Sequence, residues 1–261
     1  AEVMEGPVLP RSAQPARKLS TAMKEPRIPF TLSSERKPLK PPRKKKTLIV
    51  QSVFNVEYWP FDQPMPRKLL STPHGLDPVP DLPNWCWAEY GLRTGMPRLL
   101  DLYEDMKLPA AVNINSAVIE QYPSLSTAML KAGWEFVGHG VTQKVAHKEP
   151  DEEAAIKTAL AQLSAFTGKK VRGWMSPGLA QTFDTADYLR RHGVEYNYDW
   201  ILDDVPCWMQ TKHGPLAALP YDEGLDDALL GDGRDELREV AHGLARLIDR
   251  KSTRLNSSHV A

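Results

Sequence analysis

The 261-residue sequence predicts an α/β architecture of the (β/α)-barrel type. Three observations carry this expectation. Short apolar runs of strand character alternate with segments of helical period, the order that joins parallel strands through right-handed crossovers. The first such run, residues 47–54 (Thr-Leu-Ile-Val-Gln-Ser-Val-Phe), is apolar nearly throughout, as a strand covered on both faces is. No glycine-rich phosphate loop follows it, which turns the choice from a nucleotide-binding open sheet toward a barrel, complete or incomplete.

Residues 1–46 precede this strand as a proline-rich arm that ends in Lys37-Pro38-Leu39-Lys40-Pro41-Pro42-Arg43-Lys44-Lys45-Lys46. Proline removes backbone donors and blocks helix and central strand, so the arm is expected to lie extended on the surface. Residues 63–90 hold too many prolines for regular structure, and Trp85, Trp87 and Tyr90 make them a candidate lid or pocket wall. A helix is expected over 94–107, with Met96, Leu99, Leu100, Tyr103 and Met106 on one face, Thr94 as cap and Pro97 in the first turn. Residues 110–115 read as a strand with a polar end, 124–132 as a helix closed by Gly133, and 134–137 as a strand running into His139. A helix over 151–166 has acids in its first turn and Gly168 after its end. Strands at 171–174, 194–198 and 218–221 and helices at 184–192 and 235–250 complete a domain spanning 47–250. Residues 251–261 have no apolar period and read as a non-native-looking tail outside it.

Lysine plus arginine (33) balances aspartate plus glutamate (33), so no global charge points to nucleic acid or a membrane surface. No apolar run approaches the roughly 18 residues that span a bilayer. Cys86 and Cys207 are too few for a disulfide scaffold and match no zinc spacing, so inert thiols and a cytoplasmic setting are expected.

The chemistry is expected at the strand ends. Asn55 and Glu57 follow the first strand, Asn113 and Asn115 close the second, His139 ends the third, Trp174 and Ser176 the fourth, and Asp199 the fifth. In a parallel barrel these ends converge on one face. Two carboxylates and an imidazole gathered there suit acid–base work or metal binding. Glycine on both sides of His139 lets the chain turn and another group approach the ring.

Taken in order, the strand-then-acid at Glu57, Asn113-Ile114-Asn115, Gly133-Trp134-Glu135-Phe136-Val137-Gly138-His139, Arg172-Gly173-Trp174-Met175-Ser176-Pro177-Gly178 and Asp199-Trp200 resemble the polysaccharide deacetylases. Within them the chain is most similar to the allantoinase-like, metal-independent branch, over residues 47–227. The resemblance implies a distorted (β/α) barrel of about seven parallel strands. It also implies hydrolysis of carbon–nitrogen bonds other than peptide bonds, with a small molecule or oligosaccharide as substrate. A homo-oligomer is compatible with the sequence.

Metal-dependent members carry Thr-Phe-Asp-Asp-Gly after the first strand, where this chain has Val53-Phe54-Asn55-Val56-Glu57. They also place two histidines four apart, whereas four residues after His139 stands Gln143, a poor zinc ligand. His147 and His213 are weak substitutes. The expectation is therefore a metal-free site; were zinc bound, Glu57 and His139 would be ligands. Glu57 is assigned as base toward water, and His139 as the group that polarises the carbonyl or protonates the leaving nitrogen, with Asp199 or Asp204 orienting one of them. Backbone N–H groups of residues 138–140, or Asn115, would receive the oxyanion. Asn55, Asn115, Trp174, Ser176, Trp200 and Asp204 are assigned to substrate, with Trp208 as a further wall. Two other readings stand beside this one: a zinc-dependent polysaccharide N-deacetylase, and a non-catalytic barrel that binds carbohydrate or another ligand.

Overall fold

The computed structural model describes residues 26–35, 51–71, 75–203 and 205–221. One sheet of seven strands runs through them in the order β1 (Val53–Val56), β2 (Ala111–Ile114), β3 (Glu135–Gly138), β4 (Gly173–Trp174), β5 (Tyr196–Asn197), β7 (Leu216–Ala218) and β6 (Cys207–Met209). Every pairing from β1 to β7 is parallel. The all-parallel expectation is corrected at the far edge, where β6 and β7 pair antiparallel. Their connection turns at Gly214 (φ 104°), long enough for a hairpin and too short for a helical crossover.

Side-chain alternation sorts the strands into two layers. Val56, Val112, Ile114, Phe136 and Trp174 face the helices and join the main core. Ala111, Val137, Met175, Tyr196 and Tyr198 face the opposite way and pack on one another. That inner cluster requires a rolled sheet. In a flat one β1 and β5 would lie roughly 19 Å apart, yet Gln51, just before β1, donates to the hydroxyl of Tyr198, just after β5. Asn55 on β1 likewise donates to Tyr221 beyond β7 at 3.2 Å. Side chains bridge the barrel although, among the described residues, no backbone ladder closes it.

The helices cover the outer face. Residues 82–106 form one long rod: α1 (Leu82–Tyr90), a π turn (Gly91–Gly95) and α2 (Met96–Met106). This corrects the structureless expectation for residues 82–90 of the stretch 63–90. Asp81 caps α1 by accepting from Asn84 N, and Pro83 sits in the first turn, where no donor is needed. Thr94 is consequently inside the rod and caps nothing. Next come α3 (Val118–Gln121), α4 (Pro123–Lys131), α5 (Glu152–Thr167) and α6 (Thr185–Arg191). The first strand begins at Val53, later than expected, so Asn55 lies within it; residues 47–50, the helix expected at 235–250 and the tail 251–261 fall outside the described residues.

One stretch of the arm is fastened down. The Arg27 guanidinium takes both oxygens of Asp187 at 2.9 and 2.8 Å, and Gln210 N bonds Arg27 O at 2.9 Å. Asp187 is only 2% exposed, and Lys212 adds its backbone N–H at 2.8 Å. Burial alone would raise the Asp187 carboxyl; the Arg27 and Lys212 donors outweigh it and hold the group well below the usual carboxylate range.

Two outcomes follow. Arg27→Ala leaves a buried carboxylate short of its main partner and should cost about 2 kcal/mol at neutral pH, less than a fully buried pair because Lys212 remains. Because folding depresses this carboxyl, the loss should be largest above its ordinary range near 4 and shrink as pH falls and Asp187 takes up a proton. Urea unfolding of both proteins across pH measures this. Separately, Gly138 pairs with Trp174, and a Cβ there would lie 2.6 Å from the indole. Gly138→Ala should lose about 1–3 kcal/mol by overpacking, read in the same assay.

Candidate active site

Glu57 and His139, far apart in sequence, meet at the C-terminal rim of the sheet. Glu57 leaves β1 on the inner side, and His139 follows β3 with its N–H bonded to Ile114 O at 3.1 Å. The glycines flanking His139 serve different ends. Gly138 makes room for Trp174, while Gly140 takes a positive φ (77°) that turns the loop back over the rim.

The ring of His139 is 2% exposed and its Nδ1 lies 2.7 Å from Met175 O. A carbonyl can only accept, so Nδ1 carries the hydrogen and Nε2 is the working nitrogen. Nε2 has no hydrogen-bond partner and stands 3.4 Å from Glu57 Oε1. Glu57 itself is held from two sides, accepting Gln143 Nε2 at 2.9 Å on Oε1 and the Trp59 indole at 2.8 Å on Oε2. Its side chain remains 24% exposed, so the pair opens to solvent on the Glu57 side.

Asn115 ties the rim together. It accepts from Tyr58 N at 2.9 Å and donates to His139 O and to Gln143 Oε1, the latter at 3.3 Å. Fully buried and with both ends of its amide engaged, it is placed as a strut and not as a substrate or oxyanion donor. One layer below, Asn113 donates to Asn55 at 2.9 Å and to Met175 Sδ at 2.7 Å, leaving its buried Oδ1 without a partner.

Asp199 belongs to a second network. Its carboxylate accepts Ser176 N at 2.7 Å, Asn197 Nδ2 at 3.0 Å and the Gln181 amide. Gln181 in turn accepts the Trp200 indole at 2.8 Å, and Ser176 Oγ accepts the Trp174 indole at 3.1 Å. Among the described residues Asp199 bonds neither Glu57 nor His139. It reaches the ring at one remove, by fixing the backbone beside Met175. Trp174, 3% exposed, faces the sheet–helix layer, a correction to its expected place in a substrate wall. Trp200 packs against that same core, and Trp208 is exposed on the edge strand β6. Asp204 lies outside the described residues.

The aromatic segment after Glu57 packs against α1. Trp59, which holds Glu57, is buried and lies 6.4 Å from the half-exposed Trp87 on α1, and Phe61 meets Trp85 edge-on at 4.9 Å. Behind it Glu89 is buried and accepts the Tyr122 hydroxyl and the Arg93 guanidinium. Burial and that carboxylate push the Tyr122 phenol up. Inside the barrel, burial and the nearby Glu135 charge push Tyr198 up to about 12. Sequence reasoning missed Trp59 and treated Gln143 only as a poor ligand. Their positions two after Glu57 and four after His139 were the available signal.

A zinc centre needs three good protein ligands and one open position. Among the described residues no three His, Cys, Asp or Glu side chains come together in such a group. Beside Glu57 and His139 the third place is taken by the Gln143 amide. His147 lies in a short turn (Ala146–Lys148), and His213 is exposed, accepting from Arg191 at 3.1 Å. Among the described residues, these side chains do not make up a zinc ligand set.

A polysaccharide deacetylase family model matches residues 86–197, which contain His139, Gln143 and the Trp174–Ser176 segment but begin after Glu57. The peptidoglycan deacetylase of Helicobacter pylori is 27% identical over 112 residues, 42% of this chain and 38% of that protein. The chain thus spans well under half the length of that curated relative. Among solved structures, PuuE allantoinase aligns with a TM-score of 0.63 at 20% identity, covering 76% of this chain and 71% of that one. A Pseudomonas aeruginosa PAO1 protein described as a "probable polysaccharide deacetylase" aligns with a TM-score of 0.62 at 21% identity, with the same coverage. At these identities the structural likeness is one of fold, an α/β barrel of this type. No described helix is long and apolar enough to cross a membrane. The segment similar to the polysaccharide deacetylase family carries the histidine, its glycine brackets and the strand that holds its ring.

Proposed function

We propose that this protein is a hydrolase of carbon–nitrogen bonds other than peptide bonds, deacetylase- or allantoinase-like, working by metal-independent general acid–base attack of water. The observation that carries this reading is the 3.4 Å approach of Glu57 Oε1 to an otherwise unpartnered His139 Nε2 at a solvent-reached rim.

In the reacting state Glu57 is a carboxylate and His139 an imidazolium with a hydrogen on each nitrogen. Water attacks the substrate carbonyl as Glu57 takes its proton, giving a tetrahedral intermediate. That intermediate collapses as His139 Nε2–H protonates the departing nitrogen, so the carbon–nitrogen bond breaks and an acid and an amine result. Glu57 then holds the extra proton and His139 lacks one. Transfer across their contact restores the pair. Each step leaves Nδ1–H bonded to Met175 O, which keeps the ring from turning. The substrate is an N-acylated sugar or a flat ureide lying between the rim and the Trp59–Trp87 wall.

Glu57→Gln keeps the side-chain volume and removes the base. It should lower kcat by about 10²- to 10⁴-fold while circular dichroism and thermal unfolding stay near those of the wild type. Undiminished turnover would end the assignment of Glu57. Dialysis against a strong chelator should leave wild-type activity intact; loss restored by added zinc would replace this reading with the zinc-dependent one. Binding without turnover across N-acetyl oligosaccharides, ureides and amides would make the protein a ligand-binding barrel.

A further inference from the structure

The geometry points to Gln143 as the positioning residue that sets which lone pair of Glu57 faces His139. This rests on the reading of Glu57 as the base.

Glutamine and asparagine amides look alike end to end, so their direction has to be derived from partners of fixed polarity. Here one exists. The backbone N–H of Tyr58 can only donate, so the Asn115 atom 2.9 Å from it is the oxygen. The nitrogen of Asn115 must then point the other way, toward His139 O and the Gln143 side chain. His139 O, a carbonyl, can only accept, which agrees. Gln143 consequently presents its oxygen to Asn115 at 3.3 Å and its Nε2 to Glu57 Oε1 at 2.9 Å. The backbone of Gln143 is pinned by the same segment, its N–H bonding Tyr58 O at 3.3 Å. Every link from a main-chain donor to the carboxylate has one permitted direction.

The consequence is local. Gln143 occupies one lone-pair direction of Oε1 and Trp59 engages Oε2, so the free side of Oε1 is the one turned to Nε2. Without the Gln143 donor the carboxylate keeps only the indole and can rotate about its last bond. Misplacing a reacting group by an ångström can cost about 10²-fold in rate.

Turnover on the best substrate of the panel above and side-chain NMR together test this. Gln143→Leu should lower kcat about 10²-fold with KM changed less than about threefold. Gln143→Asn, which restores an amide one methylene short, should recover part of the loss, and Gln143→Glu should recover none because it sets a second carboxylate against the first. In wild-type protein one Gln143 Nε2–H should resonate downfield of free glutamine amides and move upfield in Glu57→Gln. A merely structural role would appear as a lowered Tm with unchanged kcat per folded molecule, and that result overturns the proposal. So does a Gln143 amide signal indifferent to Glu57→Gln. If wild-type protein turns over nothing while that signal responds, the hydrolase reading falls and the hold of Gln143 on Glu57 stands.

Discussion

Two main-chain groups of fixed polarity decide how this rim is protonated and oriented. The carbonyl of Met175 can only accept, which assigns the hydrogen of His139 to Nδ1. The N–H of Tyr58 can only donate, which assigns the direction of Asn115, then of Gln143, and so delivers a donor to Glu57. Side chains are free to rotate, but these backbone groups continue β1 and β4 of the parallel sheet. The chemistry of the pair is therefore inherited from the sheet. A shift of β2 by one residue would exchange its inner and outer faces and bury Asn115 on the helix side.

The roll of the sheet is the second requirement, and it is met by side chains. Small residues permit close approach on both faces: Gly138 accommodates Trp174 outside, and Gly173 accommodates Tyr196 inside. Polar pairs then stitch the first strand to the last ones across the interior. Asp199 works within this frame. By accepting the N–H of Ser176 it anchors the residue after Met175, so the carbonyl that fixes His139 is itself held in place. An acid expected at the chemistry thus acts through the backbone that supports it.

Much of this was legible in the sequence because it rests on short-range signals. Strand ends, glycine brackets and helix stops at Gly133 and Gly168 are local, and the parallel order brings Glu57 and His139 together as expected. What was not legible is tertiary. Trp174 carries the same sequence signal whether it faces a substrate or a helix; only its register opposite Gly138 decides, and that pairing crosses a whole helical connection. The prolines of residues 63–90 argued against helix, yet Pro83 falls in the one turn that tolerates it. The β6–β7 hairpin was missed because β6 spans only three residues, too few for a period to show. Gln143 looked like a missing ligand when judged by zinc chemistry. Its amide shows its use only once Asn115 is in place beside it.

The Nε2 of His139 is kept without a partner by the contacts around it. A buried nitrogen left without a partner costs about 1–3 kcal/mol, and the chain could relieve that by turning the ring or by bringing a donor such as the Gln143 amide to it. Neither happens, since Met175 holds one side of the ring and Gln143 with Trp59 holds the carboxylate. Orphaned polar atoms in a folded protein call for a reason of this kind. Asn113 Oδ1, one layer beneath, is a second such atom on the same inner wall. Both are acceptors in the neutral state, and both lie inside the same rolled sheet.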